Sequence, residues 1–343
     1  MRRLIHFIIF LIFGFSCIDP FDLSTGNQSN ALVVDGLITD VNSESYVHLS
    51  RSLSFDNSRI QPIYFVPETN ADVKVLDDLG DEVLFTETSP GIYSPANTFV
   101  GAPGRTYTLS IRTIDGATYQ SNPEKMPAVP LIDSLIYEYH SYEQLVENSQ
   151  GGYFVDTRYG FKLSVKVDDP EDERNYYRWK ISGIYEFFSF IGETFFQCWV
   201  PVSRLEPSIR IKNDAYFNGN TLIEPLVVIP YDRPTYYMAM VKQMSLSPEA
   251  YNFLEEVRKQ QANTGSIFDP IPSQIRGNIF NTENPNELVM GFFGASSVVE
   301  KSVLIKRFDA SGFVSPSPNL LPEFGNCIDL IQGATNVKPP GFP

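Results

Sequence analysis

The chain has 343 residues, 43% hydrophobic and 20% charged, with a formal net charge of -15. That hydrophobic content excludes a disordered chain, and the length suggests two domains, each with its own core. The acidic balance repels phosphate backbones and argues against a nucleic-acid partner. With 26 Phe, 18 Tyr, 25 Pro and 22 Gly, the composition favours strands and turns.

Arg2 and Arg3 precede an apolar run from Leu4 to Phe15. A membrane span needs roughly 20 apolar residues, so this shorter run reads as a signal peptide over residues 1–16. Gly14-Phe15-Ser16-Cys17 resembles a bacterial lipobox, whose cysteine thiol is acylated before cleavage. Cys17 is therefore the expected lipidation site, and the acylated cysteine is the expected link to a lipid bilayer. Residues 17–30 are polar and lack periodicity, as a tether would be. Asp19 and Asp22 resemble the acidic stretch that sends some Bacteroidetes lipoproteins to the cell surface. The expected location is the outer membrane, lipid-anchored and facing outward.

From Ala31 the pattern has period two. Val47 and Leu49 share one face of "YVHLSR", Val73 and Val75 one face of "DVKV", and Tyr107, Leu109 and Ile111 one face of "YTLSIRT". Asp78-Leu79-Gly80, Ser89-Pro90-Gly91 and Asp115-Gly116 punctuate these runs as turns. Short strands at this spacing predict an immunoglobulin-like β-sandwich over residues 31–125. The proline-rich "NPEKMPAVP", residues 122–130, marks the expected boundary.

Residues 126–343 are expected to form a larger β-rich domain with one amphipathic helix, making the whole chain mainly β. Phe161, Leu163, Val165 and Val167 alternate cleanly in "FKLSVKV". The helix is predicted near 248–262. Ser247 suits the N-cap, Pro248 the first helical position, and Glu249 the positive end of the dipole. Ala250, Phe253, Leu254 and Val257 recur at helical spacing and are expected to pack against a sheet.

The segment "SPEAYNFLEEVRKQQANTGSIFDPIPSQIRGNIFN", then "GFFGASSV" and "GATNVKPPGF", resembles the Bacteroidetes lipoprotein family called domain of unknown function 4249. "CIDPFD", "LVVDGLITD" and "VHLSRS" resemble the start of the same family. The resemblance implies an association with outer-membrane TonB-dependent transporters and no established enzymatic activity.

Candidate functional residues are few. "YEFFSFIGETFFQCW", residues 185–199, reads as a hairpin turning at Ile191-Gly192-Glu193-Thr194. Tyr185, Phe187, Phe188, Phe195, Phe196 and Trp199 are its candidate partner or ligand surface, weighed against a role in the core. Adjacent rings at 187–188 and 195–196 must fall on opposite faces. Cys198 and Cys327 are the cysteines left once Cys17 is acylated, and export permits a disulfide between them. Asp133-Ser134-Leu135 resembles a short O-glycosylation motif, which makes Ser134 a candidate acceptor. The acids of "DDPEDE", residues 168–173, read as a solvated turn rather than a calcium loop. His48 and His140 lie far apart with no catalytic or zinc motif around them.

No catalytic residue, metal or cofactor is therefore expected. The leading expectation is a non-enzymatic outer-membrane lipoprotein, an accessory subunit of a TonB-dependent transporter that helps capture or admit cargo. A free-standing adhesin or glycan-binding module is the alternative, and a carboxylate-based hydrolase a more distant one. The leader generates a direct test. Cys17→Ser is expected to leave the protein soluble and unprocessed by lipoprotein signal peptidase, as read by membrane fractionation and mass spectrometry.

Overall fold

A computed structural model describes residues 30–53, 65–148, 151–203, 205, 208–262, 275–310 and 324–343. The leader, Cys17 and all but the last residue of the tether lie outside the described residues. Among those described, no helix is long and apolar enough to cross a membrane. The protein is mainly β.

The N-terminal part supplies β1 (Leu32–Thr39), β2 (Tyr46–Ser52), β3 (Phe65–Pro67), β4 (Asp72–Asp77), β5 (Glu82–Ser89), β6 (Ile92–Pro95), β7 (Thr106–Arg112), β8 (Thr118–Ser121) and β9 (Glu124–Lys125). Their alternation decides their orientation. Leu32, Val34 and Ile38 of β1 point inward with Val47 and Leu49 of β2. They meet Val73, Val75, Leu109 and Ile111 of β4 and β7 in one core. Each such residue, once fully buried, contributes about 1.5–3 kcal/mol before entropy is counted.

The rest of the chain adds β10 (Ile132–Glu147), β11 (Tyr153–Asp168), β12 (Tyr176–Ile191), β13 (Thr194–Val202), β14 (Arg210–Asn213), β15 (Thr221–Pro230) and β16 (Tyr236–Ser245). Helix α1 (Pro248–Ala262) follows, then β17 (Ile279–Asn281), β18 (Val289–Ser296), β19 (Val298–Lys306) and a short α2 (Cys327–Leu330).

Hydrogen bonding in the first body runs through one eleven-stranded sheet, in the order β17-β8-β7-β4-β5-β6-β2-β1-β18, with β3 and β9 at its sides. Opposed walls enclose its core as in a sandwich, but the sheet curls until its two ends nearly meet. A side chain bridges the gap. Asn278 Nδ2 donates to Phe293 O at 2.8 Å, and Phe293 N donates to Asn278 Oδ1 at 2.9 Å. The amide thus satisfies β18 backbone groups that another strand would otherwise pair. Close approach here requires glycine. Gly291 has φ 96°, and a Cβ on it would run into the Val34 carbonyl.

Sheet membership does not follow the expected division at residue 125. β17 and β18 lie far beyond it yet belong to the first sheet, and Ile279, Val289, Phe293 and Ala295 belong to the first core. The second body is a sandwich. The sheet β10-β11-β15 faces the sheet β13-β12-β16-β19, which also carries β14. Leu163, Val165, Trp179, Ile181, Val241 and Ile305 fill the space between them.

The proline-rich segment between the bodies is pinned to this sandwich. Met126 is fully buried in the first core. Ser245 Oγ donates to Pro127 O, and Gln243 Nε2 donates to Pro130 O, both at 2.7 Å. Gln243 in turn accepts from Trp179 Nε1 at 2.8 Å. Lys242 reaches Glu44 of the first body at 2.6 Å.

Helix α1 starts as its sequence requires, since Ala250 N donates to Ser247 Oγ at 2.9 Å. The Ser247 hydroxyl then donates to Glu124, a β9 carboxylate that is only 3% exposed. Burial, with Glu249 close by, pushes Glu124 up to about 7 against the opposing hydrogen bonds from Ser247 and Asn278. Between the unfolded pKa of about 4.5 and a folded value near 7, the native state holds a proton that the unfolded chain has released. The stability from this group is complete below the lower value and lost as pH rises through the upper one. Glu124→Gln should therefore flatten the fall in thermal stability between pH 5 and 8. The expected gain at pH 8 relative to pH 5 is about 2.5 kcal/mol, checked by denaturation at both pH values.

Candidate functional site

The aromatic hairpin forms where expected, as β12 paired with β13 in register from Gly183↔Val202 to Ile191↔Thr194. Strict alternation divides its rings. Tyr185, Phe187, Phe196 and Cys198 share one face, while Phe188, Phe195 and Trp199 share the other.

The first face is covered by the C-terminal segment. Cys198 and Cys327 are joined by a disulfide with Cα atoms 6.2 Å apart, and Phe187 and Val200 pack around it. Cys327 opens α2, whose N-cap Asn326 accepts from Ile328 N. On the second face, Trp199 packs against Met238 and Phe342, its ring edge-on to Phe342 at 6.4 Å. Trp199 and Thr335 also exchange backbone hydrogen bonds at 2.8 and 3.0 Å.

The candidate surface is accordingly smaller than the six rings suggested by sequence. Phe187 is fully buried and Trp199 is 5% exposed, so both belong to the core. Tyr185, Phe188 and Phe196 are half-buried, and Phe195 is 65% exposed. Phe195 stacks on Phe188 at 5.2 Å, leaving an apolar patch at the hairpin tip, while Ile191 is exposed on the opposite face.

Arginines fix the root of this hairpin. Arg233 lies over the Phe187 ring at 4.3 Å and the Tyr185 ring at 5.5 Å. Buried Arg307 donates to Asp232 Oδ1 at 2.5 Å, Thr235 Oγ1 at 2.8 Å and two backbone carbonyls. Burial lowers the Arg307 pKa, opposed by the attraction of Asp232.

A second projecting element was not singled out from sequence. β10 and β11 pair from Ile132↔Val167 out to Glu147↔Tyr153, but β15 accompanies β11 only from Asp168 to Gly160. Beyond Tyr159, whose carbonyl accepts from Tyr231 N, the described residues form a two-stranded ribbon. Six further residues per strand carry it about 20 Å outward. Leu145 is 63% exposed and faces Val155 at 60%; Phe154 at 49% faces half-buried Val146, and Tyr153 is 64% exposed.

Apolar side chains thus occupy both faces of a ribbon on which, among the described residues, no sheet is packed. Such a hairpin is only marginally stable alone in water. Glu143, Glu147 and Asp156 give it an acidic character, with Arg158 bound to Asp156 at 2.7 Å. A clue was available: two alternating segments of 16 residues greatly exceed the usual strand length.

The other candidates are dispersed. Ser134 is half-buried on β10 and its hydroxyl donates to Asp133 at 3.2 Å, beside the Asp133–Lys166 ion pair. Within the acidic turn, Asp169 is buried, accepting from Tyr177 and from Gly219 N at 3.2 Å. Asp168 accepts from Thr221 at 2.5 Å, while Glu171, Asp172 and Glu173 face solvent. His48 is exposed and packs beside Tyr46 at 4.5 Å, and His140 is exposed on β10.

The architecture defines a mainly β protein of two joined bodies from which two hairpins project. Residues 18–302 match the family described as Domain of unknown function (DUF4249), and the chain belongs to that family. No curated protein matches the sequence.

The disulfide spans 129 residues of sequence. A closed loop of this length restricts the unfolded chain by about 4–5 kcal/mol on a chain-entropy model. Cys198→Ala with Cys327→Ala should lower unfolding stability by that order in urea titrations. Thiol labelling of the unfolded, non-reduced wild-type protein should modify neither cysteine.

Proposed function

We propose that this protein is a non-enzymatic, lipid-anchored outer-membrane protein. It serves as an accessory subunit of a TonB-dependent transporter and helps capture or admit its cargo. The observation that carries this reading is the projecting β10–β11 ribbon, with exposed Leu145, Tyr153, Phe154 and Val155 beyond the end of β15.

An apolar two-stranded arm with unpaired edges gains free energy when a partner covers its side chains or pairs with its backbone. The hairpin tip at Phe195 offers a second contact, on a base held by the disulfide and Arg233. Anchorage through Cys17 would hold these surfaces close to other membrane proteins and raise their effective concentration there. The transporter enters as partner from the family resemblance.

The test uses native membranes, mild detergent, crosslinking and mass spectrometry of co-purifying proteins. A TonB-dependent transporter should co-purify with the wild-type chain. Joint replacement of Tyr153, Phe154 and Val155 by Ser should reduce its recovery at least tenfold while leaving the lipoprotein in the outer membrane. Recovery of the wild-type lipoprotein alone after crosslinking would overturn the transporter reading and move the assignment to an adhesin.

A further inference from the structure

Helix α1 touches both bodies without filling the space beside it. Tyr251 packs beside Tyr176 of β12 at 5.1 Å, and Phe253 stacks on Phe292 of β18 at 5.0 Å. Of the helical residues expected to pack on a sheet, only Ala250 is buried; Phe253, Leu254 and Val257 are half-buried. They face a groove of about 290 Å³ whose opposite wall is the outer face of the first sheet. Val33, Leu37 and Phe292 supply the apolar part of that wall.

The groove has a local cause. In the ladder register, Leu37 of β1 lies between Tyr46 of β2 and Gly294 of β18. Gly294 has no side chain to place over the sheet. A Cβ there would meet Phe292 and Leu37 first, at 3.8 and 3.9 Å, which is ordinary contact. Backbone geometry does not demand this glycine, unlike Gly291, whose φ is 96°.

One part of the groove is polar. Tyr46, Asp35 and Arg178 line it, with the Tyr46 hydroxyl 3.4 and 3.5 Å from the Asp35 carboxylate oxygens. Burial, reinforced by Asp35, pushes Tyr46 up to about 12, so its hydroxyl keeps its proton at ordinary pH. The carboxylate and guanidinium supply opposite charges. A ligand head carrying a net charge meets one of the same sign, whereas a neutral hydroxyl can donate to Asp35 or to the Tyr46 oxygen and accept from Arg178.

We infer that this groove is a binding site for a small neutral amphipathic molecule, with an aliphatic or aromatic body and a hydroxyl-type head. The body lies beside the stacked Phe253–Phe292 pair, between Leu254 and Val257 of the helix and Val33 and Leu37 of the sheet. The head meets Tyr46, Asp35 and Arg178. The volume is near the lower end for ligand pockets and matches a molecule of about ten heavy atoms. A position between two bodies is also a common one for ligand sites. The site is separate from both projecting hairpins, so it stands independently of the transporter reading.

The probe is 1-octanol, titrated calorimetrically into the full chain carrying Cys17→Ser, without detergent. Octanoate and octylammonium serve as charged comparators. Saturable one-to-one binding of octanol is expected, with a dissociation constant below about 1 mM. Gly294→Leu, which places a side chain in the groove, should weaken it at least tenfold. Val257→Trp does the same from the opposite wall and keeps the test valid should the first variant fail to fold. Tyr46→Phe, which retains the ring, should weaken octanol about threefold to tenfold. Absence of saturable octanol binding, or unchanged affinity in a folded groove-filling variant, would overturn the site. Tighter binding of either charged comparator, or an unchanged affinity in Tyr46→Phe, would overturn the assigned head group.

Discussion

Parallel pairing of β1 with β18 is the constraint on which the rest of the structure depends. The ladder runs without interruption from Leu32↔Val289 to Thr39↔Ser296, joining segments about 250 residues apart in sequence. It places Phe293 and Ala295 in the first core and brings the end of the curled sheet to Asn278. Directly after it, the chain crosses Ser297 and enters β19 of the second body. Ser297 N donates to Ser245 Oγ at 2.9 Å, and Val298 N donates to Asp40 Oδ1 at 2.8 Å. Residues 289–306 therefore contribute to both bodies. Such a nonlocal pairing carries a high closure entropy and is favoured only once both cores can reward it.

The same crossing explains why the junction is tightly built. Gln243, Ser245, Glu124 and Ser247 are buried polar groups, each with a hydrogen-bond partner that water would otherwise provide. A buried polar network of this kind specifies one arrangement, because displacement leaves several groups unsatisfied together. Stability then falls away from the junction. The hairpin β12–β13 is held by a disulfide and the C-terminal segment, whereas among the described residues the outer ribbon β10–β11 has only its own ladder. Local opening is easiest where few buried contacts oppose it, and recognition surfaces are commonly drawn from such regions.

Much of the strand pattern was legible because period-two alternation is a local consequence of burying one sheet face. Val47, Leu49, Val73, Val75, Leu109 and Ile111 are all buried, as are Phe161, Leu163, Val165 and Val167. Ser247 was equally legible as an N-cap because capping involves only neighbouring backbone. The contact surface was less so. Six rings lay within a short segment, but covering Phe187 and Trp199 required Cys327 and Phe342, more than a hundred residues downstream. The exposed arm was overlooked because alternation alone does not show where a third strand stops.

By itself, the sequence determined the mainly β character, the helix at Pro248–Ala262 and the orientation of most strands, because each depends on spacing within a few residues. Only the tertiary structure decided that β17 and β18 complete the first sheet, that the outer half of β10–β11 projects without a third strand, and that Gly294 leaves a groove opposite α1. These features depend on which distant segments pair and where they stop. Strand pairing is set by the combined burial of both cores, a collective energy that no local pattern of residues contains.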